Sequence, residues 1–255
     1  MLRRSIFRVV LAALAALVAV MPAFAGGWAV VTLDRLPARI VAGQPIDIGF
    51  TVRQHGRTLR DDLAPIVRLD RADKTDSITV TARRQGASGH YAATLTFSSA
   101  GAWDWKIDIE QFGMITHPLP RLSVLAAAPA SDGAVALAGS SRARAASISA
   151  LVAALLRWLE AARSAPDGAA QQGRDLFLAK GCVMCHRHDD VRQERAEIDF
   201  FDGLGPDLTN RKLDADYLRR WLNNPSAIKK GTEMPALGLS GGEIEALIAF
   251  LSASE

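Results

Sequence analysis

The sequence predicts a two-domain chain, an N-terminal all-β sandwich followed by a C-terminal all-α unit, and three observations carry that prediction. From Trp28 to Val124 apolar residues recur at alternate positions, the period of a half-buried strand. Residues 126 to 146 are almost entirely Ala, Ser, Gly and Pro until Arg142 and Arg144, the composition of a flexible linker. From Ser147 the apolar spacing changes to i, i+3, i+4, the period of an amphipathic helix. A length of 255 residues allows one large or two ordinary domains.

Taken in order, the chain opens with Arg3, Arg4 and Arg8 before an unbroken apolar run from Val9 to Val20, closed by Ala23-Phe24-Ala25. Residues 1–25 therefore read as a secretory signal peptide with an A-x-A cleavage site, and the mature chain is expected from about Gly26. An uncleaved membrane anchor is the other reading, which the short run disfavours.

Residues 26–125 form the β part. Its clearest run is Ile46-Asp47-Ile48-Gly49-Phe50-Thr51-Val52-Arg53, with one face for the core and one for water. Alternation recurs at Tyr91, Ala93, Leu95, Phe97 and at Trp103, Trp105, Ile107, Ile109, with Ser98-Ser99-Ala100-Gly101 between them as a loop. This pair reads as a hairpin. Shorter strands are expected at Trp28 to Leu33, Ile66 to Leu69, Ile78 to Ala82 and Leu119 to Val124. About seven short strands suggest an immunoglobulin-like sandwich. Trp103 and Trp105 share a face and read as core or interface aromatics. Met114, His55, His90 and His117 are residue types that take copper, but they are scattered and read more simply as solvated or locally bonded side chains. Gly89-His90-Tyr91 leading to Gly101-Ala102-Trp103 resembles the YtkA-like and FixH-like exported domains over residues 28 to 125.

In the linker region, 126–166, Ile148, Leu151, Val152, Leu155, Leu156 and Leu159 form one apolar stripe. Arg157 and Glu160 interrupt it, and it is too short to span a bilayer. It reads as packing against one of the domains, with an interfacial or partner-docking helix as alternatives. Ala165-Pro166-Asp167-Gly168 ends it.

Residues 167–255 contain Cys182-Val183-Met184-Cys185-His186, and these two cysteines are the only ones in the chain. C-x-x-C-H reads as covalent haem c attachment. Two thiols at this spacing can each add to a vinyl group of one haem, and the imidazole is then held under the iron. A structural zinc site would need further closing ligands, and a redox dithiol would want a βαβ context. Downstream, Tyr217, Leu218, Trp221 and Leu222 fall on one side of a helix between Asp214 and Pro225. A terminal helix starts at Ser240, which forms a capping box with Glu243 and carries an apolar face of Ile244, Leu247, Ile248 and Leu251.

On these motifs residues 169 to 253 resemble a class I c-type cytochrome domain, so the fold expected for this part is the all-α cytochrome c fold. The resemblance implies one covalent haem c, with Cys182 and Cys185 as thioether anchors and His186 as proximal ligand. It implies that the Pro206 carbonyl, in Gly205-Pro206-Asp207-Leu208, holds the other nitrogen of His186, although glycine and proline there also suit a plain turn. It implies Met234, in Gly231-Thr232-Glu233-Met234-Pro235, as the sixth ligand, a core methionine being the alternative. Gly173 and Phe250 fit the crossing of the first and last helices. Tyr217 or Trp221 would bond a propionate or simply pack in the core. Arg187 to Leu204 is a charged loop beyond a compact cytochrome, read as a solvated excursion or a docking surface.

Residues 167 to 255 carry 11 basic and 15 acidic side chains, and residues 26 to 125 carry 12 and 10. No basic cluster with interleaved aromatics is present, which excludes nucleic acid as the expected partner. The resemblance and the signal segment together imply an exported, periplasmic monohaem carrier of single electrons. It would have no catalytic site of its own, and the β part would dock it to redox partners, namely a membrane or periplasmic respiratory complex, with peripheral membrane association as a further option. Alternatives are a haem-bearing subunit of an oxidoreductase complex and a haem-based sensor of small ligands.

Overall fold

The computed structural model describes residues 27–110, 114–127, 168–195 and 204–253. The signal segment and the amphipathic helix expected from the sequence lie outside these residues.

The described part of the N-terminal half forms β1 (Gly27–Leu33), β2 (Ile40–Val41), β3 (Pro45–Gln54), β4 (Thr58–Leu59), β5 (Ile66–Arg71), β6 (Ser77–Thr81), β7 (Arg83–Arg84), β8 (His90–Thr96), β9 (Gly101–Asp108), β10 (Met114–Ile115) and β11 (Leu122–Leu125). One sheet runs β10-β1-β3-β8-β7 with β4 also on β3, and the other runs β2-β11-β9-β5-β6. The alternation in β3 places Ile48, Phe50 and Val52 on the core side, where Phe50 lies opposite Tyr91 and Ile48 opposite Ala93. In the second sheet Val67 and Leu69 lie opposite Ile107 and Trp105. The polar tips of two core aromatics find partners, as most buried groups do. The Trp105 indole donates to the Pro120 carbonyl at 2.8 Å, and the Tyr91 hydroxyl donates to the Arg60 carbonyl at 2.8 Å.

Two expectations are corrected here. The proposed hairpin does not form: β8 pairs with β3 and β7, whereas β9 pairs with β11 and β5. Residues 97 to 100 instead carry the chain from one sheet to the other, because Phe97 and Trp103 meet edge-on across the shared core, 5.3 Å between ring centres. The fold class expected, a seven-stranded immunoglobulin-like sandwich beside a separate all-α cytochrome c fold, is also overturned. The described residues hold eleven strands, including the parallel pairs β1 with β10 and β2 with β11. Strands of two residues, such as β2, β4, β7 and β10, are too short to carry a period.

The second half of the correction concerns separateness. Residues 168–179 form helix α1, followed by 3₁₀ turns at Cys182–Met184 and Asp189–Val191, then α2 (Arg192–Arg195), α3 (Ala215–Asn223), α4 (Pro225–Ile228) and α5 (Gly241–Ala253). Their core is not exclusively helical. β1 is buried on both faces: Ala29, Val31 and Leu33 join the β core, while Val30, with Trp28 and Leu36 beside it, joins the helical core. Ala179 of α1 in turn joins the β core. The two halves share an apolar seam.

Helices α1 and α5 cross at Gly173. A Cβ there would overlap the Ala246 carbonyl oxygen and stand 2.6 Å from Phe250 Cβ, so only the missing side chain permits the approach. The capping box forms as read: the Glu243 amide donates to Ser240 Oγ at 3.3 Å, and the Ser240 amide donates to the Glu243 carboxylate at 2.9 Å. Ile244, Leu247, Ile248 and Leu251 are all buried. Among the described residues no helix is long and apolar enough to cross a membrane.

Candidate functional site

Helix α1 delivers the chain to the C-x-x-C-H segment, and Gly181 makes the bend, with a positive φ of 77° that favours glycine. The 3₁₀ turn that follows is closed by the Cys185 and His186 amides donating to the Cys182 carbonyl at 3.1 and 2.9 Å. Side chains three apart eclipse on such a turn, so the two thiols share a side while Val183 and Met184 are buried in the core behind them. Desolvation pushes Cys182 up to about 12 and Cys185 up to about 11. Without a metal both are protonated thiols, unlike the low-pKa thiolates that run disulfide exchange.

His186 Nδ1 donates to the Pro206 carbonyl at 2.9 Å. A carbonyl only accepts, so this bond assigns the proton to Nδ1 and leaves the lone pair on Nε2. Burial holds the imidazole below its ordinary pKa, which keeps it neutral and able to ligate. The segment carrying Pro206 is locked in place by the Leu208 amide, which donates to the Arg187 carbonyl at 2.9 Å. Gly205 belongs to the same device, since a Cβ on it would stand 2.7 Å from the His186 ring.

Met234 is half-buried, and its sulfur accepts the Trp221 indole N–H at 3.0 Å. Trp221 thus meets Met234, and Tyr217 stacks on Trp221 with ring centres 5.8 Å apart. Tyr217 is 37% exposed, at the rim rather than the inward side. Asp214 caps α3 by accepting the Tyr217 amide at 2.7 Å, and Leu218 and Leu222 supply its buried face. Cys182, Cys185, Leu208, Leu213, Trp221, Met234 and Leu237 are all only part-buried against the helical core. This half-buried, largely apolar margin, with one neutral imidazole, one thioether and two thiols, fits a haem attached through both sulfurs. Among the described residues no group of three or more His, Cys, Asp or Glu is placed to hold a bare metal ion.

The copper-type residues of the β half are dispersed. His55 packs on Trp28 at 5.8 Å, while His90 bonds the Asp34 carboxylate at 3.0 Å and the Gln85 carbonyl at 2.6 Å. His117 is buried at the seam.

Sequence reasoning missed part of the site. Residues 187 to 195 are not a purely solvated loop: His188, Val191 and Arg195 are buried, and His188 packs on Phe250 with ring centres 4.3 Å apart. The charge-rich composition hid this, and the single apolar Val191 was the only signal. Lys180, 2% exposed, had none.

Residues 168–251 match the family model described as cytochrome C oxidase, cbb3-type, subunit III. The match supports a C-terminal c-type cytochrome domain, hence haem c as its group and electron transfer as its chemistry, and does not extend to the β half. Among solved structures, the Lin-41 filamin domain aligns at 13% identity over 37% of this chain and 90% of that one, with a TM-score of 0.30. A superoxide reductase (neelaredoxin) from Ignicoccus hospitalis aligns at 11% identity over 38% and 80%, with a TM-score of 0.26. At these scores neither likeness bears on fold or function. No curated protein matches the chain.

Proposed function

We propose that this chain is an exported, periplasmic monohaem cytochrome that passes single electrons through a His/Met-ligated haem c, Cys182 and Cys185 being its thioether anchors. The observation that carries the reading is the 2.9 Å bond from His186 Nδ1 to the Pro206 carbonyl, which leaves the Nε2 lone pair of the C-x-x-C-H histidine for iron. His186 and Met234 would both hold the iron and leave it no open place for substrate, so the chain would itself act as carrier rather than enzyme. When bound, haem supplies reversible one-electron chemistry at iron. Met234, a weak thioether donor, favours the reduced state relative to a second imidazole. The Trp221 N–H orients its sulfur, and Leu218 and Leu222 keep water out, a further upward push on potential.

The family description favours one version of this reading, in which the chain works as a haem-bearing component of a respiratory oxidase complex. The β half, which resembles YtkA-like and FixH-like exported domains, would face that partner. Met234→Ala is the test. The variant keeps covalent haem but loses the weak far-red band that reports sulfur on ferric iron; survival of that band would remove Met234 from the iron. Oxidase activity co-purifying with the chain from a membrane extract separates the bound component from a free shuttle.

A further inference from the structure

Lys180 lies two residues before the first anchoring cysteine, and its ammonium is buried where three segments meet. Nζ stands 2.7 Å from Glu243 Oε1 on α5, and donates to the Leu33 and Asp34 carbonyls at the end of β1 at 3.0 and 2.9 Å. An ammonium has three donors, and each has an acceptor here. The Lys180 carbonyl accepts from Thr32 Oγ1 at 3.4 Å. Next to it, a Cβ on Gly181 would overlap Val30 Cγ1 and stand 3.0 Å from the Val31 carbonyl. The residues leading into the attachment motif are therefore seated directly on β1.

We infer that Lys180 is a positioning residue for the haem-attachment segment, fixing it against β1 and α5 together, and that the Lys180–Glu243 pair sets part of the field at the iron. The inference rests on the haem reading above. It makes the β half part of the redox centre's frame rather than a tethered docking module. A buried ion pair is nearly silent while both charges are present, and losing one leaves the other uncompensated. Removing the ammonium leaves a carboxylate that stabilises ferric iron, so the potential falls. Removing the carboxylate leaves an ammonium that destabilises ferric iron, so the potential rises. Simple loosening of the packing would admit water in both variants and move both the same way.

The experiment uses the full chain, loaded with haem by a co-expressed attachment apparatus, as wild type, Lys180→Met, Lys180→Arg and Glu243→Gln. Redox titration, the far-red band and amide hydrogen exchange are read on each. The expected result is a lower midpoint potential for Lys180→Met and a higher one for Glu243→Gln, with Lys180→Arg between wild type and Lys180→Met. Exchange should quicken together in β1 and α5 for Lys180→Met. Shifts of the same sign in Lys180→Met and Glu243→Gln, or wild-type potentials in both, would overturn the inference. If Lys180→Met fails to fold or load, Glu243→Gln decides alone: a raised potential supports the inference, and an unchanged or lowered one overturns it. A wild type that carries no haem sinks the haem reading instead; the joint exchange response of β1 and α5 then still tests Lys180 as the tie between the halves.

Discussion

In the β half Phe50, Tyr91, Phe97 and Trp103 are each 0% exposed, and the Tyr91 hydroxyl and Trp105 indole have protein partners. In the helical half Cys182, Cys185, Leu208, Trp221, Met234 and Leu237 stay half-covered around the attachment motif. Stability follows buried apolar area, so the first half buries its aromatics between its own sheets and meets the second only along the seam, whereas the proposed haem would complete the covering of the second. The difference separates a scaffold whose core is mostly its own from a site that a bound haem would stabilise further.

The harshest way to break that contrast is Cys182→Ala with Cys185→Ala, which prevents attachment. Amide exchange should then show the helices losing their slow amides while β3, β5, β8 and β9 keep theirs. Equal protection in both halves would erase the distinction. Trp103→Ala attacks from the other side. It empties a fully buried aromatic site and should cost about 3–5 kcal/mol, read by urea unfolding, with the haem spectrum of the folded protein unchanged.

The seam between the halves is probed by pH. Burial lowers His117 from its ordinary value of 6.5 to about 4, against a smaller upward pull from the Leu178 backbone. The unfolded chain therefore takes up a proton below 6.5 that the folded chain refuses until about 4. Stability should fall as pH drops through that window, by about 1.4 kcal/mol per pH unit, and level off below it. Chemical denaturation at stepped pH checks this, and in His117→Phe that component of the slope should vanish. The smallest effect belongs to Ser240→Ala, which removes the side-chain cap of α5 and should cost about 1 kcal/mol, visible as a small drop in the thermal midpoint.

The strong periodic signals were legible beforehand. The alternation at 46–53 is β3, the capping box at Ser240 and Glu243 forms, and the small residue expected at the helix crossing is Gly173 against Phe250. Pairing was not legible, because the alternation in β8 and β9 says which face is apolar but not which sheet each strand joins. Nor was the seam. The run Trp28-Ala29-Val30-Val31-Thr32-Leu33 has no polar face, which marks a strand covered on both sides, yet nothing local says by what. Lys180 was invisible for a related reason: a lysine before a motif looks like any surface charge until its three acceptors, from distant segments, are in place. The His186 to Pro206 bond came from a family pattern, and geometry added why Gly205 must precede that proline.

The two-sided strand β1 also imposes a timetable. Leu33 and Lys180 are 147 positions apart, so at synthesis rates of about 5–20 residues per second the first strand exists for roughly 7–30 s before its outer neighbours do. Throughout that interval Trp28 and Val30 have His55 and Gly56 beside them but none of the helical core they later join. The first strand among the described residues is thus among the last completed, and whatever escorts the nascent polypeptide must shield that stripe until the segment around Lys180 arrives.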